Sequence, residues 1–198
     1  MKRTDYQWFS HQEFLSESLH TDMLNLDNQF ANKGLLINED GNAINDSLDL
    51  TVKNRYKDNS VLKKLLPDPL IETISLLERQ LISKGVTQPV LFNYKCMINP
   101  NPLPGMKAYG WHKDYNMISH ITDVKKLWFT MLFLTDQICD SSFMCAPNAQ
   151  GPELWNIGSK NKICSNMVVG HNMNLGHEYT VGKNNNVSVL YSRWFDAG

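Results

Sequence analysis

Apolar positions along the chain follow two different periods, and the change falls near residue 87. Before it the spacing is helical. Ser10-His-Gln-Glu13 has the form of a capping box, and Phe14, Leu15, Leu19 and Met23 follow at helical intervals, which predicts a first helix. Residues 28–59 are rich in Asn, Asp and Gly with little periodicity, so they read as loop with one short strand near Leu48–Val52. Asp68-Pro69 then opens the clearest helix. Asp68 is a good N-cap, Pro69 suits the first turn, Leu70, Ile74, Leu77 and Leu81 make one apolar stripe, and Gly85 supplies the stop.

Beyond Gly85 the runs become strand-sized and rich in β-branched and aromatic residues: Val90–Ile98, Leu127–Thr135, Asn166–Val169 and Val187–Phe195. Turn signals separate them, at residues 99–105, 147–151 and 182–186. Helices followed by many short strands predict a mainly β chain with flanking helices, an antiparallel sandwich or barrel with the helices packed outside. There is no internal repeat and no low-complexity tract. A single domain over 1–198 is expected, with a helix-rich support at 1–87 and a β core at 88–198.

Composition narrows the function classes. The 198 residues are 42% hydrophobic and 20% charged, as in one globular domain. Nineteen basic and twenty acidic residues give a net charge of −1 with no block of either sign. That excludes the electrostatic footprint of a dedicated nucleic-acid or membrane-surface binder, so neither partner is expected. The N-terminus lacks the apolar run of a secretory signal and no stretch reaches membrane-span length, so a cytoplasmic protein is expected. Cys96, Cys139, Cys145 and Cys164 match no zinc-knuckle or CxxC spacing and read as reduced thiols.

Chemistry centres on the histidines. His11 and His20, on the predicted first helix, and His120 read as surface residues. His112-Lys113-Asp114 differs. Positions i and i+2 of an extended backbone share a face, so an imidazole and a carboxylate can reach one metal from one strand end. His177 supplies a second imidazole. Two neutral imidazoles and a carboxylate form a facial triad that suits Fe(II) and leaves three adjacent positions open. Arg193, on the last apolar run, offers a bidentate fork for the carboxylate of an acidic ligand. His171 competes with His177 as the metal ligand; His177 is preferred, and His171 reads as a surface residue.

With these residues in this order, the sequence resembles the 2-oxoglutarate- and Fe(II)-dependent dioxygenases over roughly residues 88–196, particularly their compact prolyl-hydroxylase-like branch. Tyr109-Gly-Trp-His112-Lys-Asp114 resembles the first metal-binding strand. Trp128–Asp136 is similar to the strand ending in a Leu-Asn/Asp pair, and Gly151-Pro-Glu-Leu-Trp155 to the Gly-Gly-Glu-Leu turn. His177-Glu-Tyr-Thr-Val181 resembles the distal His segment, and Val187–Phe195 the closing strand. The resemblance implies a double-stranded β-helix (jelly-roll, cupin-like) core. It implies Fe(II) held by His112, Asp114 and His177, with 2-oxoglutarate and O2 as cosubstrates. Arg193 would then bind the far carboxylate of 2-oxoglutarate, with Lys183 in reserve and Tyr94 and Thr130 adding hydrogen bonds. The implied reaction is hydroxylation of an unactivated C–H bond of a small molecule, such as an amino acid or natural-product intermediate. A protein side chain is the second substrate class, and a non-catalytic cupin-like metal-binding domain the rival of a different kind.

Overall fold

The computed structural model describes residues 8–32, 67–98, 107–112, 127–134, 142–146, 159–162, 164–172, 175–180 and 188–198. In chain order these form β1 (Trp8–His11), α1 (Glu17–Asn32), α2 (Asp68–Ser83), β2 (Pro89–Ile98), β3 (Lys107–His112) and β4 (Leu127–Leu134). Then follow β5 (Ser142–Ala146), β6 (Ser159–Lys162), β7 (Met167–Asn172), β8 (Gly176–Thr180) and β9 (Ser188–Asp196). The strands pair antiparallel in two sheets, a five-stranded one ordered β1-β7-β4-β9-β2 and a four-stranded one ordered β3-β8-β5-β6. No described helix is long and apolar enough to cross a membrane. The short strand expected near Leu48–Val52 lies outside the described residues.

Strand alternation gives the larger sheet two unlike faces. Trp128, Leu132 and Leu134 of β4, Val168 of β7, Leu190 and Trp194 of β9 and Leu91 of β2 share one face. They pack with Leu19 and Met23 of α1 and with Leu70, Ile74, Leu77 and Leu81 of α2. Burying each such side chain contributes about 1.5–3 kcal/mol, and this is the interface that seats the helices on the sheet. The opposite face carries Phe129, Met131, Phe133, Val169, His171, Val189, Tyr191 and Arg193, and it positions the site.

The helix ends correct the sequence reading in two places. Ser10 lies in β1, paired with Val169, and Glu13 has a left-handed φ of 51°, so residues 10–13 form no capping box. The first helix instead begins after Ser16, whose Oγ accepts from the Leu19 amide at 3.3 Å. Asp68 is the first residue inside α2 rather than its cap, and the cap position is Pro67, with no side-chain bond. The stop is as expected. Gly85, at φ 94°, lets its amide reach the Ile82 carbonyl at 3.0 Å and that of Val86 reach Leu81 at 3.1 Å, a Schellman ending with Leu81 and Val86 both buried.

Two residues fix how β1 and the first helix join the sheet. Asn166, at φ 56°, accepts the Leu15 amide on Oδ1 at 2.8 Å and donates from Nδ2 to the Leu15 carbonyl at 2.8 Å. Its backbone also accepts from Phe14 and donates to the Phe133 carbonyl. Gly170 lies opposite Phe9, and a β-carbon there would fall 2.2 Å from the Phe9 ring. Only glycine leaves room for that aromatic ring.

Candidate active site

The site is built on a transverse row of the larger sheet. Asn93, Arg193, Phe129, His171 and Trp8 occupy successive strands in register: Asn93 opposite Arg193, Arg193 opposite Phe129, Phe129 opposite His171, and His171 opposite Trp8. Such positions share one face. The Arg193 guanidinium carbon sits 5.8 Å from the Phe129 ring centroid. The Phe129 ring lies 5.3 Å from the rings of both His171 and Tyr191. Arg193 is half-buried, while Phe129 and Tyr191 are buried.

His177 reaches this row from the other sheet. It is 3% exposed, its ring centroid is 6.4 Å from that of Phe129 and only 4.3 Å from that of His171. Its Nδ1 lies 3.1 Å from the Leu175 carbonyl oxygen. A carbonyl only accepts, so Nδ1 carries a proton, and in the neutral ring Nε2 is the atom with the lone pair. On β8, position 177 is paired directly with position 112 at the end of β3. The register therefore sets backbone positions 112 and 177 opposite each other on strands far apart in sequence. Glu178 alternates to the other face of β8, where it is buried, and does not share the face of His177.

Not every expected residue lies there. Asp114 and Lys183 are outside the described residues, as are His120 and the turn at Gly151–Trp155. Among the described residues, no group of three or more His, Cys, Asp or Glu converges as a metal cage. Thr130 faces away from the site. It belongs to the face beneath the helices, where its Oγ1 accepts the Trp194 indole N–H at 3.0 Å. Position 94 pairs with Ser192, which is also opposite Thr130, so Tyr94 falls in that same outer row. The reason is a register shift between Leu91 and Asn93, which reverses the parity that regular alternation from Leu91 gives.

His171 is the main correction in the other direction. It is not a surface residue: its exposure is 0%. The sequence run ends at Val169, but β7 continues to Asn172 because it is paired on both sides, by β1 and by β4. Gly170 and the polar residues after it hide that continuation from an apolar-run reading. Phe129 and Tyr191 were also missed as site walls, although the alternation from Arg193 through Tyr191 was in the sequence. His11 is exposed but lies in β1 rather than a helix. His20, on α1, is half-buried against Ser165 Oγ at 3.3 Å, and burial lowers its pKa.

No protein-family model matches the sequence, and no curated protein matches it by sequence. Solved structures do match. The non-heme alpha ketoglutarate dependent epimerase SnoN from nogalamycin biosynthesis superposes with a TM-score of 0.63 at 8% identity, over 96% of this chain and 77% of its own. The non-heme alpha ketoglutarate dependent carbocyclase SnoK, from the same biosynthesis, gives 0.60 at 12% identity, over 97% and 80%. A prolyl hydroxylase from Trichoplax adhaerens, in complex with a hypoxia inducible factor oxygen degradation domain peptide fragment, gives 0.54 at 15% identity, over 96% and 83%. The chain has the fold of these enzymes, and the resemblance read from the sequence extends to the backbone.

Proposed function

We propose that the chain is an Fe(II)- and 2-oxoglutarate-dependent oxygenase, one domain over 1–198, whose 88–198 segment is a double-stranded β-helix supported by 1–87. The strand orders support this architecture, since both sheets interleave strands that are distant in sequence. The observation that carries the functional reading is the pairing of positions 112 and 177, with Arg193 on the sheet that faces them. His112, Asp114 and His177 are the iron ligands. The donor set fits: two imidazoles and a carboxylate suit Fe(II), and a ligating histidine characteristically donates its other ring N–H to a carbonyl, as His177 does to Leu175.

When bound, iron couples oxidative decarboxylation of 2-oxoglutarate by O2 to oxidation of a substrate C–H bond. The chain's own residues bind and orient. Arg193 pairs with the far carboxylate of 2-oxoglutarate through a charge-assisted fork. Phe129 packs against the guanidinium and both buried histidines, narrowing the room for water and strengthening that ion pair. The Leu175 carbonyl fixes the tautomer and rotation of His177.

The substrate is a small molecule, such as an amino acid or natural-product intermediate; the likeness to SnoN and SnoK supports that class. Hydroxylation is the reaction we favour over halogenation, because the sequence has a carboxylate, Asp114, where related halogenases have a small residue. The protein is cytoplasmic. A test of the cofactor reading uses Mn(II) as a redox-inert stand-in. A ligand that binds only the folded chain at 100 times its Kd stabilises it by about 2.7 kcal/mol. Mn(II) with 2-oxoglutarate should therefore raise Tm well beyond Mn(II) alone, and Arg193→Ala should abolish the increment. No increment in the wild type contradicts the proposal.

A further inference from the structure

We propose that Trp8 is a specificity-determining wall of the substrate site, selecting a substrate with a flat, uncharged aromatic ring; the inference deepens the oxygenase reading above and rests on it. Trp8 is paired with His171, and directly opposed positions share a face. Its neighbour fixes the same side. Phe9 packs in the core beneath the helices, in the notch left by Gly170, so alternation sends Trp8 to the face of His171, Phe129 and Arg193. All four residues of β1 are paired with β7, which holds that position.

The order along the row separates Trp8 from the cosubstrate end. Arg193, Phe129, His171 and Trp8 stand on β9, β4, β7 and β1, which are adjacent in that order. The His177 ring stands beside the middle of this row, 4.3 Å from His171 and 6.4 Å from Phe129. Arg193 and Trp8 therefore flank the proposed metal ligand from opposite sides. Three strand spacings put about 14 Å between their backbones. The five-carbon chain of 2-oxoglutarate, with bonds of about 1.5 Å, spans only roughly 5 Å. Stretched from Arg193 toward His177, it leaves the β1 end of the row to the molecule that is oxidised.

Exposure and charge define that molecule. Trp8 is 37% exposed, against 6% for Trp128 and 0% for Trp194. Among the described residues the other large apolar side chain left so open is Ile82, on α2, which packs on the opposite face of the sheet. Water on an indole face is displaced favourably by a flat partner, through burial and ring stacking. An indole also attracts cations. Here a cation would stand close to a divalent ion, whose repulsion opposes it. A neutral ring carries no such penalty.

The test uses the chain loaded with Mn(II) and 2-oxoglutarate, and 2-naphthol as the probe, so no turnover is needed. Saturation-transfer NMR gives the affinity, and Mn(II)-enhanced relaxation of the ring protons reports whether the probe sits beside the metal. The wild type should bind 2-naphthol with enhanced relaxation. Trp8→Ala should weaken it roughly 5- to 150-fold, the range seen when an aromatic platform for a stacked base is removed. Trp8→Phe should recover most of the loss; Trp8→Leu, apolar but without a ring, should not. If Trp8→Ala does not fold, the contrast between Phe and Leu decides. Absent or metal-remote binding in the wild type, unchanged affinity in a folded Trp8→Ala, full affinity in Trp8→Leu, or a preference for tetramethylammonium overturns the proposal. The oxygenase reading is read out separately: Mn(II) with 2-oxoglutarate should still raise Tm in the Trp8 variants, and its failure to do so in the wild type overturns that reading instead.

Discussion

The two faces of the five-stranded sheet are made by the same strands and follow opposite rules. Beneath the helices, Trp128, Leu132, Val168, Leu190 and Trp194 are apolar and closely packed, and a polar pair there, Thr130 with the Trp194 indole, satisfies itself. Toward the other sheet, Phe129, Tyr191, His171 and Arg193 interleave rings with charge and lone pairs, and His177 joins them from β8. Thr130 and Phe129 are sequence neighbours with unrelated roles. The lesson is that parity along a strand, rather than the composition of the strand, separates the residues that seat the helices from those that line the candidate site.

That separation can be broken from either side. The largest effect belongs to Arg193. Losing a charge-assisted pair and leaving a carboxylate unpaired in a desolvated pocket costs about 2–5 kcal/mol. Arg193→Ala should weaken 2-oxoglutarate by roughly 30- to several-thousand-fold at tenfold per 1.4 kcal/mol, with little change in denaturant midpoint. Arg193→Lys should recover only part, because a point charge does not reproduce the fork. Leu132→Ala tests the other face: it should cost about 2–5 kcal/mol of folding stability by urea unfolding and leave cosubstrate affinity unchanged in the folded protein. If the two variants exchanged phenotypes, the faces would be assigned the wrong way round.

Smaller effects sharpen the comparison. Gly170→Ala drives a β-carbon into the Phe9 ring and should cost about 1–3 kcal/mol, as over-packing does; adding Phe9→Ala should relieve part of the clash, read as a coupling in a double-mutant cycle. Thr130→Val leaves the buried Trp194 N–H without its acceptor and should cost about 1–3 kcal/mol of stability. Its 2-oxoglutarate affinity should match the wild type. A weakened affinity would return Thr130 to the pocket.

The smallest expected effect is that of His20. Burial lowers its pKa in the folded chain, so the unfolded chain takes up a proton more readily as pH falls through the ordinary histidine value of about 6.5. Its contribution is fully present above that value and is lost as pH drops toward the folded-state pKa. His20→Gln should flatten the fall of unfolding free energy on the acid side of neutrality. An unchanged slope would show that Ser165 and the turn around it do not desolvate the ring.

Most of the large elements were legible because one signal dominated each. The stripe Leu70, Ile74, Leu77 and Leu81 with Gly85 marks a helix and its end, and β2, β4 and β9 are continuous runs of strand formers. Elements without such a signal were missed. Ser142–Ala146 and Ser159–Lys162 are short, and Ser-Lys-Asn-Lys has no strand propensity of its own; partners in the sheet hold them. β1 was read as part of a helix because Ser10 and Glu13 mimic a capping box, whereas pairing with β7 captured Ser10. Around the candidate site, His177 and Arg193, proposed on type and order, both stand near Phe129, while Thr130 and the backbone position of Tyr94 fall in the other row by parity. A register shift between Leu91 and Asn93 is a tertiary event, invisible to a count of residues. His171 was lost at a glycine whose purpose, making room for Phe9, depends on a strand some 160 positions away.

The central claim is that the inner face holds Fe(II) and 2-oxoglutarate together. The direct measurement is an anaerobic titration of the Fe(II)-loaded chain with 2-oxoglutarate, following the weak visible metal-to-ligand charge-transfer band of the chelated keto acid. The account predicts a saturable band in the wild type and in Thr130→Val. It predicts a band displaced to far higher 2-oxoglutarate in Arg193→Ala and no band in His177→Ala. A wild-type chain that binds Fe(II) but gives no band at any 2-oxoglutarate concentration would contradict it, and a metal-binding domain without this chemistry would then be the better description.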